Sequence, residues 1–313
     1  MTAMQTIETP HPKTGPQASL KTIVVGTDFS ENAAKALKWV NDIAKAHGAK
    51  VVLAHAIETE LPALADQGLL THHIERKLEC LRDLHQLAGQ PAFAPGKPWE
   101  VINKIARERK SDLIVVGAHG ESTYSERFLG TVADRLIKTT SIPVLVYRQG
   151  SIAGSRAIRT VLAATDFSEE AAVAISAAVN LLHGSNEPAR LVLFHAAPLM
   201  ISYSDINIAA SNPQFWDDAE RQAAHQLDSL AASLSSDRLQ VQVKTSRGYP
   251  VDGILAEAQN IGADLIVIGT LGRTGLTRFL IGSVAEQVLH RSTCSVLTAR
   301  RPDPSEPIRM SIE

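Results

Sequence analysis

The sequence contains two copies of one pattern, and the parts of the pattern follow the same order in both. "TIVVGTDFSENAAKAL" at Thr22 to Leu37 is matched by "TVLAATDFSEEAAVAI" at Thr160 to Ile175. Further along, "SDLIVVGAHG" is matched by "ADLIVIGTLG", and "ERFLGTVADRLIKTTSIPVLVY" by "TRFLIGSVAEQVLHRSTCSVLT". A repeat of this length predicts two domains of one fold, joined in tandem.

The domain boundaries follow from where the repeat begins and ends. With 313 residues, 44% of them hydrophobic, the chain can bury a core in each copy. We expect a disordered leader at 1–19, a first domain at 20–148, a linker at 149–157, a second domain at 158–300 and a flexible tail at 301–313. The second copy is longer, and its extra residues fit a loop at 198–216 whose role the sequence does not indicate.

Composition gives no reason to expect a nucleic acid, a membrane or a metal as a partner. The formal charge of -2 comes from 31 basic and 33 acidic residues, so it favours neither nucleic acid nor an acidic membrane as a partner. No apolar run approaches the length that crosses a bilayer, and the first residues lack the apolar core of a signal peptide. Cys80 and Cys294 stand far apart, which suggests neither a disulfide framework nor a zinc site. The expected compartment is a reducing cytoplasm.

Within each copy, short β-branched apolar runs alternate with helical patterns. In the first copy the strands are "TIVVGT", "KVVLAHA", a weak "AFAP", "DLIVVG" and "PVLVY", with helices near 30–47, 65–88, 99–109 and 131–138. This alternation predicts an α/β fold in which each copy is a doubly wound, Rossmann-like parallel sheet of five strands with helices on both faces. If the strand order is 3-2-1-4-5, the loops after the first and fourth strands meet where such sheets bind ligands.

The most conspicuous polar residues and glycines stand in those two loops. Asp28 and Asp166 end the first strands, and the fourth strands are followed by Gly117-x2-Gly120-x9-Gly130-Thr131 and Gly269-x2-Gly272-x9-Gly282-Ser283. Glycine lets the backbone approach a phosphate, the N–H groups at a helix start attract anions, and a Ser or Thr hydroxyl adds a donor. A carboxylate opposite can accept hydrogen bonds from a ribose. The pattern predicts a nucleotide site, although glycines also form turns and these aspartates also suit a turn or cap.

Three features together resemble the universal stress protein family in its tandem form: the glycine pattern, "TDFS" after the first strand, and "G-x-P" at Gly96 to Pro98 and Gly248 to Pro250. The resemblance covers roughly residues 20–148 and 158–300. It implies the sheet order 3-2-1-4-5, ATP at the glycine loop, and a role in surviving stress without an established catalytic reaction. Magnesium would arrive with the nucleotide.

The resemblance also implies which residues contact the nucleotide. Asp28 and Asp166 would face the adenosine, and the backbone at Ala56 and Ala196 would read the adenine. The phosphates would be held by Gly117, Gly120, Gly130, Thr131 and Val132 in the first copy, and by Gly269, Gly272, Gly282, Ser283 and Val284 in the second.

The two copies differ within the glycine loop. The second reads "GRTGL", as the family usually does, and its Arg273 and Arg278 favour phosphate. The first reads "GESTYSERF", which sets Glu121 and Glu126 against Arg127 alone. Because a carboxylate near a triphosphate weakens binding, we expect the second copy to bind ATP more strongly than the first.

Other chemistries find little support in the sequence. GxxxxGK[ST] and GxSxG are absent, and GxGxxG does not follow either first strand. His55 and His195 are predicted to be satisfied core histidines, while His119, in the first glycine loop, is replaced by Leu271 in the second copy. No cluster has metal-ligand spacing. An ATP-binding stress protein is the leading interpretation; the alternatives are a slow ATP-hydrolysing or adenylate-transferring enzyme and a nucleotide-free scaffold.

The last strands, "PVLVY" and "CSVLT", are apolar and would lie at a sheet edge. A bare apolar edge invites aggregation. We therefore predict that the two halves pair along these strands as an internal pseudo-dimer, an arrangement the resemblance also implies for two-chain members. The association of two whole chains as a homodimer is left open.

Overall fold

The computed structural model describes residues 19–58, 67–119, 129–149, 158–184, 187–197, 215–272 and 281–301. The first copy consists of β1 (Thr22–Gly26), α1 (Glu31–His47), β2 (Lys50–Ile57), α2 (Gln67–Leu84), β3 (Ala92–Pro95), α3 (Pro98–Glu108), β4 (Leu113–Gly117), α4 (Thr131–Thr139) and β5 (Val144–Tyr147). The second consists of β6 (Thr160–Ala164), α5 (Glu169–His183), β7 (Ala189–Ala197), α6 (Phe215–Leu234), β8 (Leu239–Arg247), α7 (Pro250–Asn260), β9 (Leu265–Gly269), α8 (Ser283–Arg291) and β10 (Ser295–Ala299). Almost all of the predicted leader, linker, tail and longer loop lies outside the described residues.

The strands that the structure describes form one ten-stranded sheet in the order β3-β2-β1-β4-β5-β10-β9-β6-β7-β8. Neighbouring strands within each half are parallel, so the predicted order 3-2-1-4-5 is confirmed in both copies. At the centre β5 and β10 pair antiparallel, with Leu297 opposite Leu145 and Val296 opposite Val146. The last strands therefore pair as predicted, and the two predicted sheets join into one.

Helices cover both faces of this sheet. Successive residues of a strand point to opposite faces, so Ile23 and Val25 of β1 belong to one apolar cluster and Val24 belongs to another. The first cluster includes residues of α1, α2, α5 and α6, and the second includes residues of α3, α4, α7 and α8. Because both faces are covered, the central strands are continuous apolar runs.

Local backbone signals set the ends of several helices. Helix α1 ends where Gly48 adopts a φ of 65°, a left-handed conformation that glycine takes without steric cost. Helix α2 ends at Leu84, earlier than predicted, because Gln86 also turns left-handed, with a φ of 53°. Helix α3 begins at Pro98, whose missing N–H suits the first helical position.

Candidate functional site

The turn after each first strand is held by its own side chains. Oγ1 of Thr27 accepts a hydrogen bond from the Phe29 N–H at 3.1 Å, and Oδ1 of Asp28 accepts one from the Ser30 N–H at 3.0 Å. Ser30 in turn caps α1 by accepting a hydrogen bond from the backbone of its first turn. The second copy repeats these bonds at residues 165–168. One carboxylate oxygen of each aspartate thus serves the turn, as the simpler interpretation of these residues predicts.

A strained phenylalanine lies at the centre of each turn. Phe29 and Phe167 have φ values of 65° and 63°, a region that bulky side chains rarely enter. The ring of Phe29 packs against His55 with centroids 4.5 Å apart, and that of Phe167 packs against His195 at 4.7 Å. Nδ1 of His55 donates to the Thr27 carbonyl at 2.7 Å. The structure thus places both histidines in packing and hydrogen-bonding roles that hold the turn.

Acidification should weaken the fold through the partly buried imidazole of His55. Burial lowers the pKa of His55 below its ordinary value of 6.5, so the unfolded chain binds the proton more readily than the folded one. The stability that the neutral ring contributes is therefore complete above pH 6.5 and is lost as the pH falls through the lowered pKa. We expect His55→Asn, which keeps an N–H donor, to flatten the dependence of the urea midpoint on pH between pH 7 and pH 5.

The matched control for that measurement is His72→Asn, on the exposed face of α2. It should leave the pH dependence as it is in the unsubstituted chain. An equal flattening by both variants would contradict the assignment to His55.

In the second copy, the loops after β6 and β9 enclose a cavity of about 320 Å³. The start of α8 forms one wall, and residues from β7 and α7 form another. Seven residues predicted from the sequence line this cavity: Asp166, Ala196, Gly269, Gly272, Gly282, Ser283 and Val284. Two other predicted site residues, Gly120 and Arg273, lie outside the described residues.

Gly272 of one loop lies against Asp166 of the other. A Cβ atom at position 272 would lie 3.0 Å from Oδ2 of Asp166, so the glycine loop passes directly over that carboxylate. The other oxygen of Asp166, Oδ1, accepts the N–H of Ser168 at 3.0 Å. The loops after the first and fourth strands therefore meet, which is the juxtaposition that the strand order predicts.

The glycines of the second loop differ in how much room a side chain would have. At Gly269 a Cβ would lie 2.9 Å from backbone atoms of Glu170 and Ala171, so this position is filled by the start of α5. At Gly282 the nearest atom to a Cβ would be the Thr270 carbonyl oxygen at 3.5 Å, which is ordinary contact. Packing explains why position 269 is glycine but does not explain why position 282 is.

Gly282 is the N-cap of α8, and no side chain among the described residues caps this helix. Its φ and ψ of -65° and 144° are close to the -66° and 162° of Ser30, which does cap α1. A serine would fit position 282 and would stabilise the helix. The first residues of α8 line the cavity, and no side chain in the described part of the chain accepts their N–H groups, which leaves these donors available to an anion.

The first copy has the same framework around its own glycine loop. Gly130 donates its N–H to the Ala118 carbonyl at 2.7 Å, as Gly282 does to Thr270 at 2.7 Å. Gly130 is likewise an N-cap without a side-chain cap, followed by Thr131 and Val132 at the start of α4. Of the other predicted residues, Asp28 follows β1, Ala56 lies in β2 and Gly117 ends β4. The start of α4 therefore matches that of α8, whereas Gly117 differs from Gly269, because a Cβ there would meet the His119 carbonyl oxygen at 3.1 Å.

Several residues that line the second cavity were not predicted from the sequence. They are Ala164, Thr165, Ala171, Phe194, Pro250, Ile254, Ile268, Thr270, Leu271 and Ala285. Pro250 could have been predicted from the sequence, since it belongs to the repeated "G-x-P". Phe194 and Ile254 could not have been predicted, because the sequence of a strand or helix does not show whether an apolar side chain packs against a neighbour or lines a cavity.

The described residues offer no site for a metal on their own: no group of three His, Cys, Asp or Glu side chains could hold one. None of the helices in the described ranges is both long enough and apolar enough to cross a membrane. Cys80 is exposed, Cys294 is buried, and both are free thiols.

Comparison with protein families matches two tandem segments, residues 19–148 and 157–300, to the universal stress protein family. The chain belongs to that family. It is 26% identical over 295 residues to a universal stress protein of Mycolicibacterium smegmatis, covering 89% of this chain and 96% of that one. A universal stress protein of Mycobacterium tuberculosis is 24% identical over 294 residues, again covering 89% and 96%. The crystal structure of a universal stress protein from Archaeoglobus fulgidus shares the fold with a TM-score of 0.67, at 21% identity, covering 90% of this chain and 98% of that one.

Proposed function

We propose that this universal stress protein binds ATP in the cavity of its second copy, and that it acts in the stress response through a nucleotide-dependent change in conformation or in partners. The observation that carries the proposal is the uncapped start of α8, which opens into a cavity of about 320 Å³. Specific small-molecule sites commonly begin at about this volume. The proposal extends to the first copy, with weaker binding.

The cavity suits the separate parts of a nucleotide. Phosphates would lie against the start of α8, where the helix dipole and the N–H groups of Ser283 and Val284 attract negative charge. The carboxylate of Asp166 would accept hydrogen bonds from the ribose, and the backbone at Ala196 would read the adenine edge. Magnesium would arrive with the phosphates, held mainly by their oxygens.

The glycine at position 282 gives the sharpest test. We expect Gly282→Ser to raise the free energy of unfolding by a few tenths of a kcal/mol, because serine caps a helix better than glycine does. The same change should weaken ATP binding about tenfold, equivalent to about 1.4 kcal/mol, because the hydroxyl occupies N–H groups that the phosphates need. Urea unfolding and calorimetric titration with ATP measure the two effects.

A gain in stability together with a loss of ATP affinity distinguishes a glycine that leaves N–H groups for a phosphate from one that the turn requires. A loss of stability in Gly282→Ser would mean that the turn itself requires glycine. A gain of stability with unchanged ATP affinity would contradict the proposal that phosphates bind at this position. Gly269→Ala is the matched control, since its methyl group would meet backbone of Glu170 and Ala171 and should lower stability.

Binding without rapid turnover is the function that the cavity favours. Among its described lining residues, Asp166 alone carries a titratable side chain, and one of its oxygens already accepts the Ser168 N–H. A hydrolase needs a base that activates water beside the phosphate, and the described lining offers no second group for that role. Sustained release of ADP or AMP by the purified chain would instead support the enzyme.

We also propose that the protein is cytoplasmic. Cys80 and Cys294 are free thiols, and Cys80 is exposed. Exposed free thiols persist in a reducing compartment and become oxidised outside it.

A further inference from the structure

Two arginines occupy equivalent positions at the junction of the halves. Arg148 directly follows β5, and Arg300 directly follows β10, so both leave the two strands that pair at the centre of the sheet. Only 7% of Arg148 is exposed, and Arg300 is partly buried. Burial lowers the pKa of both guanidinium groups, so each takes its charge out of water and depends on the groups it contacts.

Arg148 connects the first glycine loop to the last helix of the second copy. Its Nη2 donates to the Leu289 carbonyl oxygen at 2.5 Å, near the end of α8. Its Nη1 lies 3.4 Å from Nε2 of His119, which follows β4 in the loop of the first copy. One guanidinium therefore contacts the helix that begins at the second site and the loop that forms the first.

Arg300 makes the reciprocal connection. Its Nη1 donates to the Lys138 carbonyl oxygen at 3.0 Å, near the end of α4. Its Nε donates to Oγ1 of Thr270 at 3.3 Å, and Thr270 lines the second cavity. Helix α4 begins at the first site, so Arg300 connects the helix of the first site to the loop of the second.

We propose that Arg148 and Arg300 couple the two sites, so that occupation of one changes the backbone of the other. The coupling rests on the proposed function, because it needs a ligand at the start of α8 or α4. Each helix has nine residues and is about 13 Å long, short enough to move as a rigid body. A phosphate that draws the start of α8 toward itself also moves its Leu289 carbonyl, and with it the guanidinium that contacts His119.

The experiment isolates one direction of coupling by blocking the first site. Thr131→Glu places a carboxylate where a phosphate would bind in the first copy, at a helical position that accepts acidic residues well. In this full-length variant, hydrogen–deuterium exchange is measured with and without ATP. Slower exchange in residues 281–291 reports binding at the second site, and a change in residues 129–139 reports coupling.

We expect ATP to slow exchange in residues 281–291 and to change exchange in residues 129–139 by about fivefold, the low end of ordinary coupling between sites. Adding Arg148→Gln should reduce the change in residues 129–139 while keeping the effect in residues 281–291. Two contacts remain, from Arg300 to the Lys138 carbonyl oxygen at 3.0 Å and from the Leu129 N–H to Nδ1 of His290 at 3.5 Å, so adding Arg300→Gln and His290→Gln should remove the remainder.

Arg291→Gln is the matched control. It removes an arginine of the same helix whose partner, Asp252, belongs to the second copy, and it should leave the coupling intact. If Arg148→Gln unfolds the chain, His119→Leu interrupts the same connection with the residue that the second copy has at this position.

The outcomes separate the two proposals. If ATP slows exchange in residues 281–291 alone, the protein binds nucleotide and the coupling is wrong. If both segments respond and Arg148→Gln changes neither response, the connection does not run through Arg148. If neither segment responds, ATP does not bind at the second site, and the proposed function fails together with the coupling that depends on it.

Discussion

Leu145→Ala should lower the free energy of unfolding by about 2–5 kcal/mol, the range for truncating a fully buried leucine. Leu145 lies in β5 opposite Leu297 of β10, and both side chains are almost completely buried. They belong to the same apolar cluster, which includes residues of helices from both halves. Leu297→Ala should therefore cost a similar amount, even though the two residues belong to different copies.

The double variant tests whether the halves are packed together at this pair. Because Leu145 and Leu297 face each other, their effects should depart from additivity by about 0.5 kcal/mol or more. The matched control pairs Leu145→Ala with Leu239→Ala, a buried leucine in the outermost strand β8, and these effects should add to within about 0.5 kcal/mol. Urea unfolding measures all of them. Additive effects for Leu145 and Leu297 would contradict a continuous sheet across the junction.

The strands of the sheet could be predicted because the same pattern occurs in both copies, so a weak strand in one copy is supported by a clear one in the other. "AFAP" alone is weak evidence for a strand, yet its counterpart "LQVQVKT" alternates clearly, and the structure has both β3 and β8. The apolar last strands predicted their own pairing, since an exposed apolar edge is unfavourable. The end of α2 could not be placed in the same way, because the left-handed turn at Gln86 has no distinctive residue.

The sequence predicted which loops form the cleft, but it did not show which role each residue has there. Gly269 and Gly282 have the same status in the repeated pattern, but one is filled by the backbone of α5 and the other leaves room for a side chain. That difference depends on distances across the fold, which no local pattern contains. The contacts of Arg148 and Arg300 were missed for the same reason, since an arginine after a strand ordinarily faces solvent.

Gly272→Glu should abolish most nucleotide binding in the second copy, weakening it about a hundredfold. Position 272 lies against Oδ2 of Asp166, so a glutamate would bring a second carboxylate to the place where we expect a triphosphate. Unit charges about 4 Å apart repel by about 1 kcal/mol in water and about 4 kcal/mol in a partly buried site. A hundredfold loss lies between these limits, and calorimetric titration with ATP measures it.

Two further variants separate charge from crowding and one copy from the other. Gly272→Ala brings only a methyl group toward Asp166 and should weaken binding far less than glutamate does. Thr131→Glu, in the first copy, should remove the weaker site and leave the stronger one, because "GRTGL" with its arginines belongs to the second copy. If Gly272→Glu and Thr131→Glu remove sites of equal affinity, the two copies bind nucleotide alike. The acidic residues at Glu121 and Glu126 would then have no effect on the phosphates, and the second copy would have no advantage.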